Sequence, residues 1–288
     1  MKNQKYRLII ITGLLVFCAF LILNFSTALA PVLSPLSSNL PSGLLNLSEA
    51  CHIDGEVYEV KDAEGNLVTK MSRRVSVGDE ILTGNGKHYK VTRVNGKNAI
   101  ADFKGLDNDF IAWQVYFANQ AIPVTNQESP NKIAIYHTHS EESYIPSDGT
   151  ESIPGEGGIF KVGNVLREKL EAQGVEVVHA QSAHEPRDSN SYNRSRRTAT
   201  ELLRENPVAL IDVHRDGVPD PDFYSKEIDG EGVTQIRLVV GRQNPKQAAN
   251  EEFAKQIMAV VNENAPGLVK EIFYANGNHI QDLAPAAI

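Results

Sequence analysis

The chain has 288 residues, of which 22% are charged, and a formal net charge of −8. This acidic balance excludes a general affinity for nucleic-acid phosphates, so we predict no nucleic-acid partner. The two cysteines, Cys18 and Cys51, provide neither a disulfide framework nor a cysteine-based zinc site. Any metal would therefore be held by His, Asp and Glu.

The N-terminus carries a membrane signal. Three basic residues precede an uncharged apolar run at residues 8–25, which is long enough to cross a bilayer of ~30 Å. Basic residues on the N-terminal side place that end in the cytoplasm. Residues 27–30, "TALA", resemble a signal-peptidase site. We predict that residues 1–30 form an uncleaved single-pass anchor in the cell membrane, with the functional part extracytoplasmic.

The next three segments differ in composition. Residues 31–53 are rich in Ser, Pro, Leu and Asn without a strand or helix period, which indicates a linker. Residues 54–106 alternate apolar and polar residues between Asn-Gly and Gly-rich turns, which predicts a small β-rich domain. Nothing in it has catalytic spacing, so we assign it to spacing or protein contact. Residues 107–131 form a polar connector.

Residues 132–288 alternate strand and helix patterns. We predict an α/β domain with a mostly parallel sheet and flanking helices. Its first helix begins at Ile159, has Val162, Val165, Leu166 and Leu170 on one apolar face, and ends at Gly174. The predicted strands are "KIAIYH", "VEVVHA", "VALIDVH", "QIRLVVG" and "VKEIFYA".

Two histidine motifs follow predicted strands of this domain. "YHTH" puts His137 and His139 after the first strand, and "IDVHRDG" puts His214 after the third. The carboxyl ends of parallel strands lie at one edge of a sheet, where active sites collect. Residues two apart on an extended backbone point to the same side. Two histidines with one carboxylate form an open zinc site that leaves a position for water.

Several carboxylates are candidates to complete the site. The neighbours Glu141 and Glu142 could be ligands, could orient a ligand or could lie on the loop surface. Glu156 lies in a Gly-rich loop before the first helix, where a carboxylate is also favourable for the helix dipole. Asp212 could orient the imidazole of His214, because metal-bound histidines usually donate their second N–H to a carboxylate. A divalent metal would lower the pKa of its water to about 7.

These motifs resemble, in order, those of the stage II sporulation protein P family. The matching segments are "IYHTHSEESY", "VGNVLREKLEAQGVEVVH", "YNRSRRTATELL", "LIDVHRDG", "VVGRQNP" and "HIQDLAPAAI". The resemblance implies a membrane-anchored, zinc-dependent N-acetylmuramoyl-L-alanine amidase that hydrolyses peptidoglycan during spore formation. It also implies a stem-peptide endopeptidase activity and a lytic transglycosylase partner.

The resemblance also implies site residues. The zinc ligands would be His137 or His139, together with His214 and Glu156. The glutamate that serves the family as general base would lie beyond Ile288, so we predict an incomplete C-terminus or a degenerate relative and assign no catalytic residue.

Two other functions remain as alternatives. One is a non-catalytic cell-wall binding protein, which the missing glutamate favours. The other is a PHP-type metal phosphoesterase, since "HTHSEESYIPSDG" and "DVH" also resemble pieces of those enzymes. Such phosphoesterases hold two or three metals, whereas the amidase would hold one.

Overall fold

The computed structural model describes residues 56–119, 132–188 and 190–288. The predicted anchor and linker, and residues 120–131 of the predicted connector, therefore lie outside the described residues. Within the described ranges, no helix is both long and apolar enough to cross a membrane. The strands are β1 (Tyr58–Lys61), β2 (Leu67–Met71), β3 (Glu80–Thr83), β4 (Lys87–Asn95), β5 (Asn98–Leu106), β6 (Lys132–Tyr136), β7 (Glu176–His179), β8 (Ala209–Asp212), β9 (Ser225–Ile228), β10 (Glu231–Thr234), β11 (Ile236–Gly241) and β12 (Val269–Ala275).

The three helices predicted within residues 132–288 lie close to their predicted positions, but one buries a different face. A further helix, at Asn108–Ala118, lies in the first half of the predicted connector, where no helix is predicted from the sequence. In the helix that begins at Ile159, Leu170 is fully buried as predicted, whereas Val162 and Val165 are 41% and 51% exposed. Their predicted burial is wrong because Ile159 and Phe160 at the start of the helix are turned inward instead. The helices are α1 (Asn108–Ala118), α2 (Ile145–Asp148), α3 (Ile159–Glu171), α4 (Ser191–Leu202), followed by a 3-10 turn at Leu203–Glu205, and α5 (Gln247–Asn264).

The strands are divided between sheets of different character. A seven-stranded sheet has the order β11-β12-β3-β4-β5-β1-β2. Only its β11–β12 and β1–β5 pairs are parallel. Strand β12 pairs with β3 of the β-rich segment in an antiparallel register. Strands β9 and β10 form a separate antiparallel hairpin.

A three-stranded sheet of order β7-β6-β8 is entirely parallel. The last residues of the chain continue it beside β8. The amide of Leu210 donates to the carbonyl of Ala286, and the amide of Asp212 donates to the carbonyl of Ile288 at 2.8 Å. The strand that carries the second histidine motif is therefore held on both sides.

The protein is α/β, as predicted, but the expectation of one mostly parallel sheet is wrong. The first three predicted strands form the parallel sheet, and the last two join the strands of the β-rich segment. Strand β12 is buried along almost its whole length, so it requires a neighbour on each side, and β3 supplies the second. Such long-range pairing leaves no signal in the local pattern.

One hydrophobic core connects the two sheets. It includes Ile133 of β6, Ile211 of β8, Ile272 of β12 and the buried face of α5 around Ile257. Leu82 of β3 belongs to the same cluster. Each such side chain contributes about 1.5–3 kcal/mol when it is fully buried. The core thus holds the parallel sheet against the mixed sheet and fixes the position of the strand ends.

A buried network of charges explains the arginine inside the otherwise apolar strand β11. The guanidinium of Arg237 donates to Glu271 Oε1 at 2.7 Å and to Asp216 Oδ2 at 2.5 Å. It also donates to the carbonyl of Lys70 and to Thr69 Oγ1. The carboxylates of Glu271 and Asp216 are thus both paired with the guanidinium. Arg237 therefore cross-links β11, where it lies, to β2, to β12 and to the loop after β8.

Candidate metal centre

The two histidine motifs meet at the carboxyl edge of the parallel sheet. Strand β6 ends at Tyr136 and β8 ends at Asp212, and these two residues are paired in register. His139 and His214 follow within a few residues, and their ring centroids are 5.2 Å apart. Parallel pairing of the two strands is the reason that residues 75 positions apart in the chain can approach so closely.

His214 lies between two carboxylates. Its Nε2 is 3.0 Å from Asp212 Oδ2, and its Nδ1 is 3.8 Å from Glu142 Oε1. Burial by itself lowers the pKa of His214, but the charges and hydrogen bonds of Asp212 and Glu142 outweigh burial and raise that pKa to about 10. The two carboxylates therefore favour a positive charge on His214.

Asp212 is held in place by the loop that follows β6. The amide and the hydroxyl of Thr138 both donate to its carboxylate, at 2.9 and 2.5 Å. The Thr138 hydroxyl also lies 2.8 Å from Ser195 Oγ on α4. Burial raises the pKa of Asp212, but His214 and these hydrogen bonds lower it overall. Asp212 is thus an ionised acceptor positioned for the N–H of His214.

Glu142 is the fully buried carboxylate of the site. Its Oε2 accepts the amide of Arg215 at 2.6 Å, and its Oε1 lies 3.7 Å from Arg187 Nη2. Its backbone carbonyl accepts the amide of Ile159 at the start of α3. Gly157 packs against this carbonyl so closely that an added Cβ would lie 2.5 Å from it. The Gly-rich loop is therefore needed to let the chain fold over Glu142.

Glu156 and Glu141 lie in different surroundings. Glu156 is exposed in the turn before α3, and the structure does not bring its side chain to the histidines. Glu141 is buried and lies 3.4 Å from Arg187 Nε, and burial raises its pKa. Of the four carboxylates considered from the sequence, only Glu142 and Asp212 contact His214.

His137 faces away from this cluster. Its Nε2 is 2.8 Å from Nε2 of His179, and its Nδ1 is 3.0 Å from the carbonyl of Val213. Its ring packs against Phe160 at the start of α3. Burial lowers the pKa values of both His137 and His179 to about 4, so the two rings share a neutral hydrogen bond. The expectation that His137 and His139 point the same way is wrong because the extended backbone ends at Tyr136.

Three further residues line the site that the sequence did not indicate. The ring of Tyr192, at the start of α4, lies 5.6 Å from that of His139 and 5.6 Å from that of His279. Nη2 of Arg73, from the β-rich segment, is 3.3 Å from His279 Nε2. The sequence motifs "YNRSRR" and "HIQDL", which contain Tyr192 and His279, support the family resemblance but do not predict a site role for these two residues. No sequence pattern predicts that Arg73 lies near the site.

The side chains of this centre are of the types that bind a divalent cation. Two imidazoles and a carboxylate are ligands that zinc prefers. Ligand atoms on one tetrahedral zinc lie about 3.3 Å apart, so Glu142 Oε1 and His214 Nδ1, at 3.8 Å, need only a small adjustment. In the part of the chain that the structure describes, no three His, Cys, Asp or Glu side chains are already arranged to hold a metal ion.

The fold and the site define an α/β protein with a centre of imidazoles and carboxylates at the carboxyl edge of a parallel sheet. Its sequence matches the family model for Stage II sporulation protein P over residues 59–288. The chain therefore belongs to the Stage II sporulation protein P family, and the predicted family is confirmed. The family is involved in sporulation.

A curated relative gives the same family. The chain is 29% identical over 175 residues to Stage II sporulation protein P of Bacillus subtilis (strain 168). The matched segment covers 54% of this chain and 43% of the relative. The chain thus matches less than half the length of that relative. No solved structure shows a significant match.

Proposed function

We propose that the protein is a zinc-dependent N-acetylmuramoyl-L-alanine amidase that hydrolyses peptidoglycan during sporulation. The observation that carries this proposal is the approach of His139, Glu142 and His214 at one edge of the parallel sheet. Family membership supports a role in sporulation. The substrate bond is the amide between the lactyl group of muramic acid and L-alanine.

His139, Glu142 and His214 would hold the zinc ion. When bound, zinc supplies a Lewis acid that polarises a carbonyl and activates water at neutral pH. Asp212 accepts the Nε2–H of His214, which leaves Nδ1 as the ligand atom facing Glu142. His137 is engaged with His179 and serves to support the loop. We therefore choose His139 over His137, and Glu142 over Glu156.

The sequence and the family resemblance also support proposals about the protein's location and partner. We propose a single-pass membrane anchor at residues 1–30, an extracytoplasmic catalytic region and a lytic transglycosylase partner. An endopeptidase activity on stem peptides would use the same centre. The general base of the reaction is not assigned.

A binding protein with an inactive site is the second candidate. It is favoured because no three potential ligands among the described residues are yet arranged for a metal. This protein would bind purified cell wall and release no peptide from it.

The test is a set of paired variants in zinc titration and cell-wall digestion. We expect His139→Ala and Glu142→Ala to lose stoichiometric zinc and the release of stem peptides, while His137→Ala and Glu156→Ala keep both. A chelator should stop release by the unaltered chain. Zinc binding that depends on His137 or Glu156 would refute the ligand set. Stoichiometric zinc without release would refute the amidase and favour the binding protein.

A further inference from the structure

Arg73 is a buried guanidinium that has no anionic partner among the described residues. It follows β2 in the β-rich segment and is 4% exposed. Among the described residues, its one hydrogen-bond contact is His279 Nε2 at 3.3 Å, and its Nε is buried with no partner. Arginine carries five N–H donors and stays protonated in proteins. Buried arginines are almost always paired, because an isolated buried charge is very unfavourable.

The contacts that Arg73 does make compensate only partly for its burial. Its guanidinium carbon lies 5.9 Å from the centre of the Phe273 ring, near the ~6 Å limit of cation–π attraction. An imidazole nitrogen supplies no negative charge. Arg237, whose side chain is 7% exposed, has two carboxylates within hydrogen-bond distance. Within the described part of the chain, the surroundings of Arg73 thus lack one anion.

Arg73 is fixed beside the candidate metal centre by two separate connections. On one side, the amide and hydroxyl of Ser72 donate to Asp216, two residues after His214. On the other side, His279 joins Arg73 to Tyr192, whose ring also contacts His139. His279 has φ 53°, in the left-handed region that favours glycine. Strained backbone of this kind often occurs at binding sites.

We propose that Arg73 binds a carboxylate of the ligand, on the peptide side of the bond that the centre cleaves. This inference rests on the proposed function, since stem peptides carry free carboxylates and the glycan beside the scissile amide does not. The planar fork of a guanidinium matches a carboxylate with two parallel hydrogen bonds. The β-rich segment would then supply a specificity-determining residue, beyond the spacing role expected from its sequence.

The experiment measures binding of two muramoyl-dipeptides to the full chain by calorimetry. The ligands differ only in a carboxylate or a carboxamide on the second residue. We expect the unaltered chain to bind the carboxylate form about tenfold or more tightly, as for a charge-assisted pair. Arg73→Gln should bind both forms equally, and Arg73→Lys should show an intermediate preference. The matched control is Arg74→Gln, at the exposed neighbouring position, which should keep the full preference.

The outcomes separate this inference from the proposed function. Equal binding of both peptides by the unaltered chain would overturn the role of Arg73 and leave the amidase proposal intact. A full preference in folded Arg73→Gln would do the same. If Arg73→Gln fails to fold by circular dichroism, an undiminished preference in Arg73→Lys would overturn the inference. If the unaltered chain binds neither peptide and digests no cell wall, the proposed function fails and the inference fails with it.

Discussion

The buried charges around Arg237 and those around His214 differ in whether their partners all come from the chain itself. Arg237 has donors directed at two carboxylates, a hydroxyl and a carbonyl, all supplied by the chain itself. His214 lies between Asp212 and Glu142, and its Nδ1 faces a carboxylate oxygen across 3.8 Å. The first region is complete without a ligand, whereas the second gains when a cation occupies the gap.

This difference indicates which polar clusters stabilise the fold and which serve function. A buried charge that is paired with groups of the chain itself helps to hold the strands in place. Removing one member of the pair leaves the other buried without a counter-charge. A buried group whose surroundings lack a counter-charge is a candidate for ligand binding. Arg73 meets this criterion among the described residues, whereas Arg237 belongs to the fold. The histidine centre is a candidate for a different reason, because its two carboxylates favour a positive charge at His214.

The largest expected effect comes from removing His214. We expect His214→Ala to abolish both stoichiometric zinc and peptide release from cell wall while the protein stays folded, because His214 lies in a loop. Metal content by emission spectroscopy and a digestion assay measure these effects. His88→Ala is the control, since His88 binds Glu80 in the mixed sheet. Retained zinc in His214→Ala would contradict the assignment.

Removing Arg237 should affect stability instead. We expect Arg237→Leu to lower the free energy of unfolding by about 3–5 kcal/mol, because Glu271 and Asp216 would remain buried without their counter-charge. Urea denaturation measures this loss. The double variant with Glu271→Gln should recover part of it. A loss below about 1 kcal/mol would show that the network is not the cross-link described above.

Replacing Asp212 should have an intermediate effect, limited to the affinity for zinc. Asp212→Asn keeps the shape of the side chain but weakens the acceptor for His214 Nε2–H. We expect zinc affinity to fall by about 10–100-fold, as for other partners of ligand histidines. Competition with a chromophoric chelator gives the affinity. Asp282→Asn, which alters an ion pair with Arg196 instead, should leave zinc affinity unchanged, and equal losses in the two variants would refute the role of Asp212.

The smallest effect is a dependence of stability on pH from the His137–His179 pair. Burial lowers both pKa values to about 4 from 6.5, so the unfolded chain binds more protons below pH 6.5. Stability is therefore greatest above pH 6.5 and falls as pH drops toward 4. His179→Gln should show a smaller fall in urea denaturation. Identical falls in both proteins would contradict the assignment.

The local elements of the α/β region were predictable from the sequence. Strands β6, β8, β11 and β12 and helices α3 to α5 lie within a few residues of their predicted bounds. The approach of the two histidine motifs followed from one rule about parallel strands, and His139 and His214 obey it.

The choices inside the site were not predictable. Whether His137 or His139 faces His214 depends on the turn after Tyr136, which no periodicity describes. The resemblance implies Glu156 as the carboxylate ligand and the sequence leaves several roles open for Glu142, whereas the fold of the Gly-rich loop buries Glu142 and exposes Glu156. Arg73 enters the site through contacts more than 200 residues distant in sequence. The pairing of β12 with β3 is equally long-range.

The most direct test of the metal centre is diffraction at the zinc absorption edge from crystals of the chain grown with zinc. We expect one anomalous peak per chain, bonded by His139, Glu142 and His214, with Asp212 behind His214. A peak held by His137 and His179, a peak with Glu156 as ligand, or two or three peaks in a cluster would contradict the account.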